Sequence, residues 1–142
     1  MKQGFEDAFT DAQERMVSLF LELLEGIEVD KCYIFAFQND IQSFFNGFVV
    51  RDGEALYLNN IISDDDVIDE FFDLGLEDID NIVEVCNTYE AKCPNLFKIS
   101  YDISTHSFDA DYGYSDVIEE GGSLDQLFTG WHDEIQKTLL EG

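Results

Sequence analysis

Between Leu96 and Tyr114 the chain runs LFKISYDISTHSFDADYGY. Phe97, Ile99, Tyr101 and Ile103 alternate with Lys98, Ser100 and Asp102. Beyond a polar break at Ser104-Thr105-His106-Ser107, Phe108, Ala110, Tyr112 and Tyr114 alternate with Asp109, Asp111 and Gly113. Side chains on a strand point to opposite faces in turn, so a period of two predicts two strands joined by a hairpin turn. One face of this ribbon is apolar and aromatic; the other is polar and mostly acidic.

Working back toward the N-terminus, Pro94 is placed to end a preceding helix. Apolar residues Ile79, Ile82, Val83, Cys86 and Tyr89 give that helix one face, from about Glu77 to Lys92. A helix before it opens at Ser63-Asp64-Asp65-Asp66, where Ser63 and Asp66 have capping-box spacing. Its buried stripe is Val67, Ile68, Phe71, Phe72 and Leu74, and Gly75 is expected to interrupt the two. Earlier still, Val29–Phe37, Ile41–Val50 and Glu54–Asn59 are β-branched and aromatic. Asp52-Gly53 signals a tight hairpin, and Gly47 a bulge. Residues 2–25 carry Phe5, Phe9, Ala12, Met16, Leu19, Phe20, Leu23 and Leu24 at helical steps, closed by Gly26. After Gly121-Gly122, Ser123 and Gln126 form another capping box. Leu124, Leu127, Phe128, Trp131, Ile135 and Leu139 define a last helix.

The order is α-βββ-αα-ββ-α. Strands in runs with helices apart from them predict an α+β fold, with an antiparallel sheet of about five strands (meander plus hairpin) and N-terminal, middle and C-terminal helices. No repeat or boundary divides the 142 residues, so a single domain, 1–142, is expected.

Charge is the unusual property: 32 acidic residues against 7 basic, net −25 at pH 7. With 45% hydrophobic residues the chain has material for a real core, so acidity does not mean disorder. Such a field repels nucleic acid and anionic membrane and attracts basic proteins. Cys32, Cys86 and Cys93 are expected to be reduced, as in a cytosol, with a Cys86–Cys93 disulfide as the less favoured alternative. The residues after Met1-Lys2 form no signal-like apolar run, and no stretch is long enough to span a membrane, so a cytoplasmic protein is expected.

No Lys or Arg occurs from Asp52 to Ala91. Outward acids on the middle helices include like-charge pairs four apart, such as Asp65/Asp69 and Asp69/Asp73, which cost helix stability. The imbalance exceeds what solubility needs. A cationic partner is therefore expected at Asp64, Asp65, Asp66, Asp69, Glu70, Asp73, Glu77 and Asp80, with Asp109 and Asp111 as second choice.

Other chemistry is poorly supported. Asp109-x-Asp111-x-Gly113 with Glu120 half matches a calcium loop, but its glycine is one position early and the segment alternates as a strand. Cys86 and Cys93 lack zinc-site spacing. His106 and His132 have no neighbouring nucleophile, and no phosphate-binding glycine loop is present. No enzyme activity, cofactor or metal is expected.

The segment Tyr101-Asp102, then Phe108-Asp109-Ala110-Asp111-Tyr112-Gly113-Tyr114, followed later by Trp131, resembles the YezG-type immunity proteins. The element order ahead of it is also similar. These are antitoxins that neutralise polymorphic secreted bacterial toxins, several of them nucleases. The resemblance implies a non-enzymatic inhibitor that binds a toxin domain; a basic nuclease is the expected target, its active site occluded by the acidic surface. Two rival readings stay open: an acidic adaptor or chaperone-like protein for another basic partner, and a cation-binding protein.

Overall fold

The computed structural model describes residues 3–141; Lys2, where the first helix was expected to begin, lies outside them. Five antiparallel strands form one sheet: β1 (Lys31–Gln38), β2 (Ser43–Arg51), β3 (Glu54–Tyr57), β4 (Leu96–Asp102) and β5 (Ser107–Gly113). Their spatial order is β3-β2-β1-β4-β5, so a meander and a hairpin meet at the central strand. The helices are α1 (Phe5–Leu23), α2 (Leu58–Ile61), α3 (Asp65–Thr88) and α4 (Leu124–Glu141). The α+β class and the expected element order are both observed.

β1 is buried on both faces, as its unbroken apolar run requires. Cys32, Ile34 and Ala36 join Phe45, Val49, Phe97 and Ile99 under α1 and α3. Tyr33, Phe35 and Phe37 join Phe48, Val50 and Phe128 under α4. The sheet is thus covered on both sides. Each fully buried Phe, such as Phe20, Phe35 or Phe48, contributes on the order of 2–3 kcal/mol by leaving water.

Several local expectations need correction. Gly75 does not interrupt the middle helices: α3 runs unbroken from Asp65 to Thr88. Gly75 is buried against the Phe45 ring, where a Cβ would collide, so the glycine admits the sheet rather than breaking the helix. α3 thus takes in both expected middle helices, and the four-residue α2 begins at Leu58 and Asn59, which were expected to finish the third strand. Asp64, not Ser63, caps α3, accepting the Asp66 N–H at 3.0 Å. Its end is set before Pro94. Glu90 takes φ 58°, Ala91 N–H donates to Cys86 O at 2.8 Å and Glu90 N–H to Asn87 O at 3.2 Å, the paired bonds of a Schellman turn. Gly47 makes no bulge, since β1 and β2 pair without a break through Ile34↔Gly47. It instead leaves room for Phe20.

Other signals hold. Asp52 and Gly53 both have positive φ, 52° and 79°, as a tight hairpin of that type requires. Of the expected Ser123/Gln126 capping box one bond is seen, Ser123 Oγ accepting the Gln126 N–H at 3.3 Å. The Asp102 carboxylate accepts from Ser104 N–H, Ser104 Oγ–H and Thr105 N–H and so shapes the β4–β5 turn. Those bonds, Ser104 Oγ–H first, together with Lys31, hold its carboxyl below the usual range. The apolar face of the ribbon is only partly covered. Phe97 and Ile99 are buried, but Phe108 and Tyr112 on β5 stay 37% and 41% exposed because β5 is an edge strand.

The sheet's two edges differ. At β3, Ala55 points its backbone outward and α4 meets it with two side chains one turn apart. Ala55 N–H donates to Gln136 Oε1 at 2.7 Å, and His132 Nε2–H donates to Ala55 O at 2.9 Å. The other ring nitrogen of His132, Nδ1, lies 3.1 Å from Asp133 Oδ1, and the ring stacks on Tyr57 with centroids 4.0 Å apart. Tyr57 N–H, next along, is taken by Asn60 Oδ1. No such cover lies over β5 among the described residues.

Among the described residues, no helix is long and apolar enough to cross a membrane.

Candidate functional site

Continuity through Gly75 decides the shape of the outer face of α3. α3 turns Ile68, Phe71, Gly75, Ile79, Ile82 and Cys86 to the sheet. At 100° per residue the opposite side carries Asp66, Glu70, Asp73, Glu77, Asp80 and Glu84, at alternating steps of four and three. All six are exposed. They make one straight carboxylate ridge about 27 Å long at 1.5 Å rise per residue. A break at Gly75 would have split it in two.

The structure sorts the expected contact acids by what else explains them. Asp64 is the helix cap, and Asp65 and Asp66 lie in the first turn, where the positive end of the helix dipole favours acids. Their presence has a local cause. Asp69, Glu70, Asp73, Glu77 and Asp80 sit beyond that turn and have none. They gain no cap and no basic neighbour on the helix. Glu84, left out of the expected set, extends the ridge; its step of four from Asp80 was the signal. The ion pair between Lys and a carboxylate seen among the described residues is Lys31–Asp102, at 4.0 Å and away from α3. One inward-leaning acid, Asp78, differs. Burial raises its carboxyl above the usual range, Arg15 opposes that, and Glu77 adds to it.

Two surfaces flank the ridge. On one side, toward α1, Val67 and Leu74, expected in the buried stripe, lie at its margin instead and are 41% and 38% exposed beside Glu70 and Glu22. On the other, Asp65 and Asp69 line a groove of about 580 Å³ between the first turns of α3 and α4. Asp125 stands on the far wall, and Tyr57, Phe72 and Phe128 contribute aromatic lining. Carboxylates around an aromatic floor suit a guanidinium or ammonium group on a long apolar stem. Among the described residues, no three His, Cys, Asp or Glu side chains are arranged to hold a metal ion.

Asp109 and Asp111 are exposed too, but the fold does not bring them to the ridge. They lie on β5, at the opposite edge of the sheet from β3, and face the α4 side. α3 packs over β2 and β1 on the other face. Lys98 pairs across from Asp111 in the ladder, yet its ammonium sits over the Trp131 ring, 5.7 Å from the centroid.

The histidines and cysteines have structural occupations. His106 Nδ1 is 2.9 Å from Tyr101 Oη in the hairpin turn, and His132 holds the β3 edge. Cys32, Cys86 and Cys93 are free thiols. Burial pushes Cys32 up to about 12 and raises Cys86 and Cys93 as well, the latter two in mutual hydrogen-bond contact. Raised thiols are poor nucleophiles and poor metal ligands.

Neither a protein-family model nor a curated protein sequence matches the chain.

Proposed function

We propose that this is an immunity protein that binds a cationic toxin domain, a nuclease above all, and blocks its active-site groove with the α3 ridge. The observation that carries the reading is the ridge itself. Six exposed carboxylates are aligned on one helix, and for the five beyond its first turn no local cap or basic neighbour on the helix offsets their self-repulsion. A nuclease groove must be basic to hold phosphates. A straight row of carboxylates competes for the same cations that would otherwise meet a nucleic-acid backbone. Charge sets the encounter rate, while apolar contacts beside the ridge, at Val67 and Leu74, set the lifetime of the complex. The resemblance of the Tyr101–Tyr114 ribbon and Trp131 to the YezG-type immunity proteins supports the same reading.

The test is direct. A basic nuclease domain, sought first at the C-terminus of a protein encoded by a neighbouring gene, is mixed with the protein, and nuclease activity and association rate are measured. Stoichiometric inhibition is expected. The quadruple variant Glu70→Lys/Asp73→Lys/Glu77→Lys/Asp80→Lys should associate at least tenfold more slowly at low salt. Unchanged inhibition by that variant would remove the ridge from the mechanism. Equal binding to many unrelated basic proteins, without inhibition of any, would favour the adaptor reading.

A further inference from the structure

The contrast between the sheet's edges points to a second docking element. At β3 the outward backbone groups of Ala55 are occupied by Gln136 and His132. At β5 the edge is seven residues long and contains no proline or lysine. Ile103 N–H donates to Asp30 O and Gln38 N–H to Asn95 O, so the odd-numbered residues of β4 bond to β1. By alternation its even-numbered residues bond to β5, through Ser107, Asp109, Asp111 and Gly113. The backbone N–H and C=O groups of Phe108, Ala110 and Tyr112 therefore point outward, with no partner among the described residues. An edge left in this state is a template for another strand.

The side chains specify which strand. On one face Asp109 and Asp111 stand two residues apart and exposed. On the other, Phe108 and Tyr112 are 37% and 41% exposed, with Tyr112 steadied by its hydroxyl donating to Gln13 Oε1 at 2.9 Å. A second copy of β5 would set aspartates against aspartates, which is unfavourable for directly opposed strands. A strand with Lys or Arg at every second position and apolar residues between would pair its cations with Asp109 and Asp111 and cover the half-exposed rings. We propose that β5 is extended by an extended segment of the partner protein in which basic and apolar residues alternate. This rests on the reading that the partner is cationic, and adds a second anchor on a different part of the molecule from the ridge.

The probe is a blocked peptide of sequence Lys-Val-Lys-Val-Lys-Val-Lys, with Glu-Val-Glu-Val-Glu-Val-Glu as control. Amide hydrogen exchange of the intact protein is followed by NMR. The lysine peptide should slow exchange at Phe108, Ala110 and Tyr112 together, and the glutamate peptide should not. Ala110→Pro removes one outward N–H without touching the β4 ladder and should weaken the peptide at least tenfold. Asp109→Lys/Asp111→Lys should do the same by charge alone. Peptide binding with those three amides still exchanging freely overturns the proposal, and this wild-type measurement decides even if Ala110→Pro misfolds. Loss of toxin binding in the ridge variant but full binding in a folded Ala110→Pro protein would refute strand addition while leaving the ridge intact. No binding of any basic domain would sink the functional reading itself.

Discussion

Replacing Asp73 by Lys should stabilise the isolated protein. Asp73 lies near the middle of the α3 ridge, with Asp69 four residues before it, Glu70 three before and Glu77 four after. Each like-charge pair at this spacing costs a helix about 0.2–0.5 kcal/mol, and each opposite pair gains a similar amount. Reversing three pairs therefore yields about 1–3 kcal/mol at low ionic strength. Asp69 and Glu70 precede the new lysine, which is the favourable orientation. The assay is urea denaturation at 0.01 M and 1 M salt, where the screening length falls from about 30 Å to about 3 Å. At low salt the midpoint should rise by about 1 M urea for a chain of this size. At high salt the gain should shrink to the few tenths of a kcal/mol that helix propensity supplies. A loss of stability, or a gain indifferent to salt, would refute the claim that the ridge repels itself. The same substitution should slow association with a basic toxin domain, so stability and binding move in opposite directions.

Gly75→Ala normally adds about 1 kcal/mol to a helix, but here the new methyl strikes Phe45. Overpacking of this kind costs about 1–3 kcal/mol, so thermal unfolding should show a lower midpoint in the single variant and a higher one when Phe45→Leu makes room. Asp78 has a raised carboxyl in the folded state, so the native protein holds more protons than the unfolded chain between that value and the ordinary 3.8. Its contribution to stability therefore grows as pH falls through this window, and the difference between wild type and Asp78→Asn in denaturant titrations should change with that sign. Cys32 and Cys86 are buried with raised thiols. Iodoacetamide at pH 8 should leave both unmodified, by mass spectrometry, over a period in which the urea-unfolded chain reacts completely.

Where a sequence signal was local and periodic, it could be followed to the structure. Alternation in Leu96–Tyr114 marked β4 and β5, and the twofold apolar run of β1 marked the centre of the sheet. What failed were residues whose reason lies far along the chain. Gly75 and Gly47 carry a breaker's or bulge's signature. Each instead makes way for an aromatic ring, Phe45 and Phe20, supplied by a distant element. The covering of Ala55 by His132 and Gln136 joins positions about eighty residues apart, and no spacing rule reveals it. The acids were visible as composition. Their alignment into a ridge was not, because it required α3 to continue through its glycine.

The single tryptophan sits on the α4 side of the sheet, edge-on to Tyr33 with centroids 5.6 Å apart and to Phe48 at 5.2 Å. The sheet stands between that indole and α3. Intrinsic emission will therefore follow the detachment of α4 during unfolding and stay silent when a ligand settles on the other face. A flat fluorescence titration would be no sign of an idle surface; a dye attached along α3 would be needed to see the event.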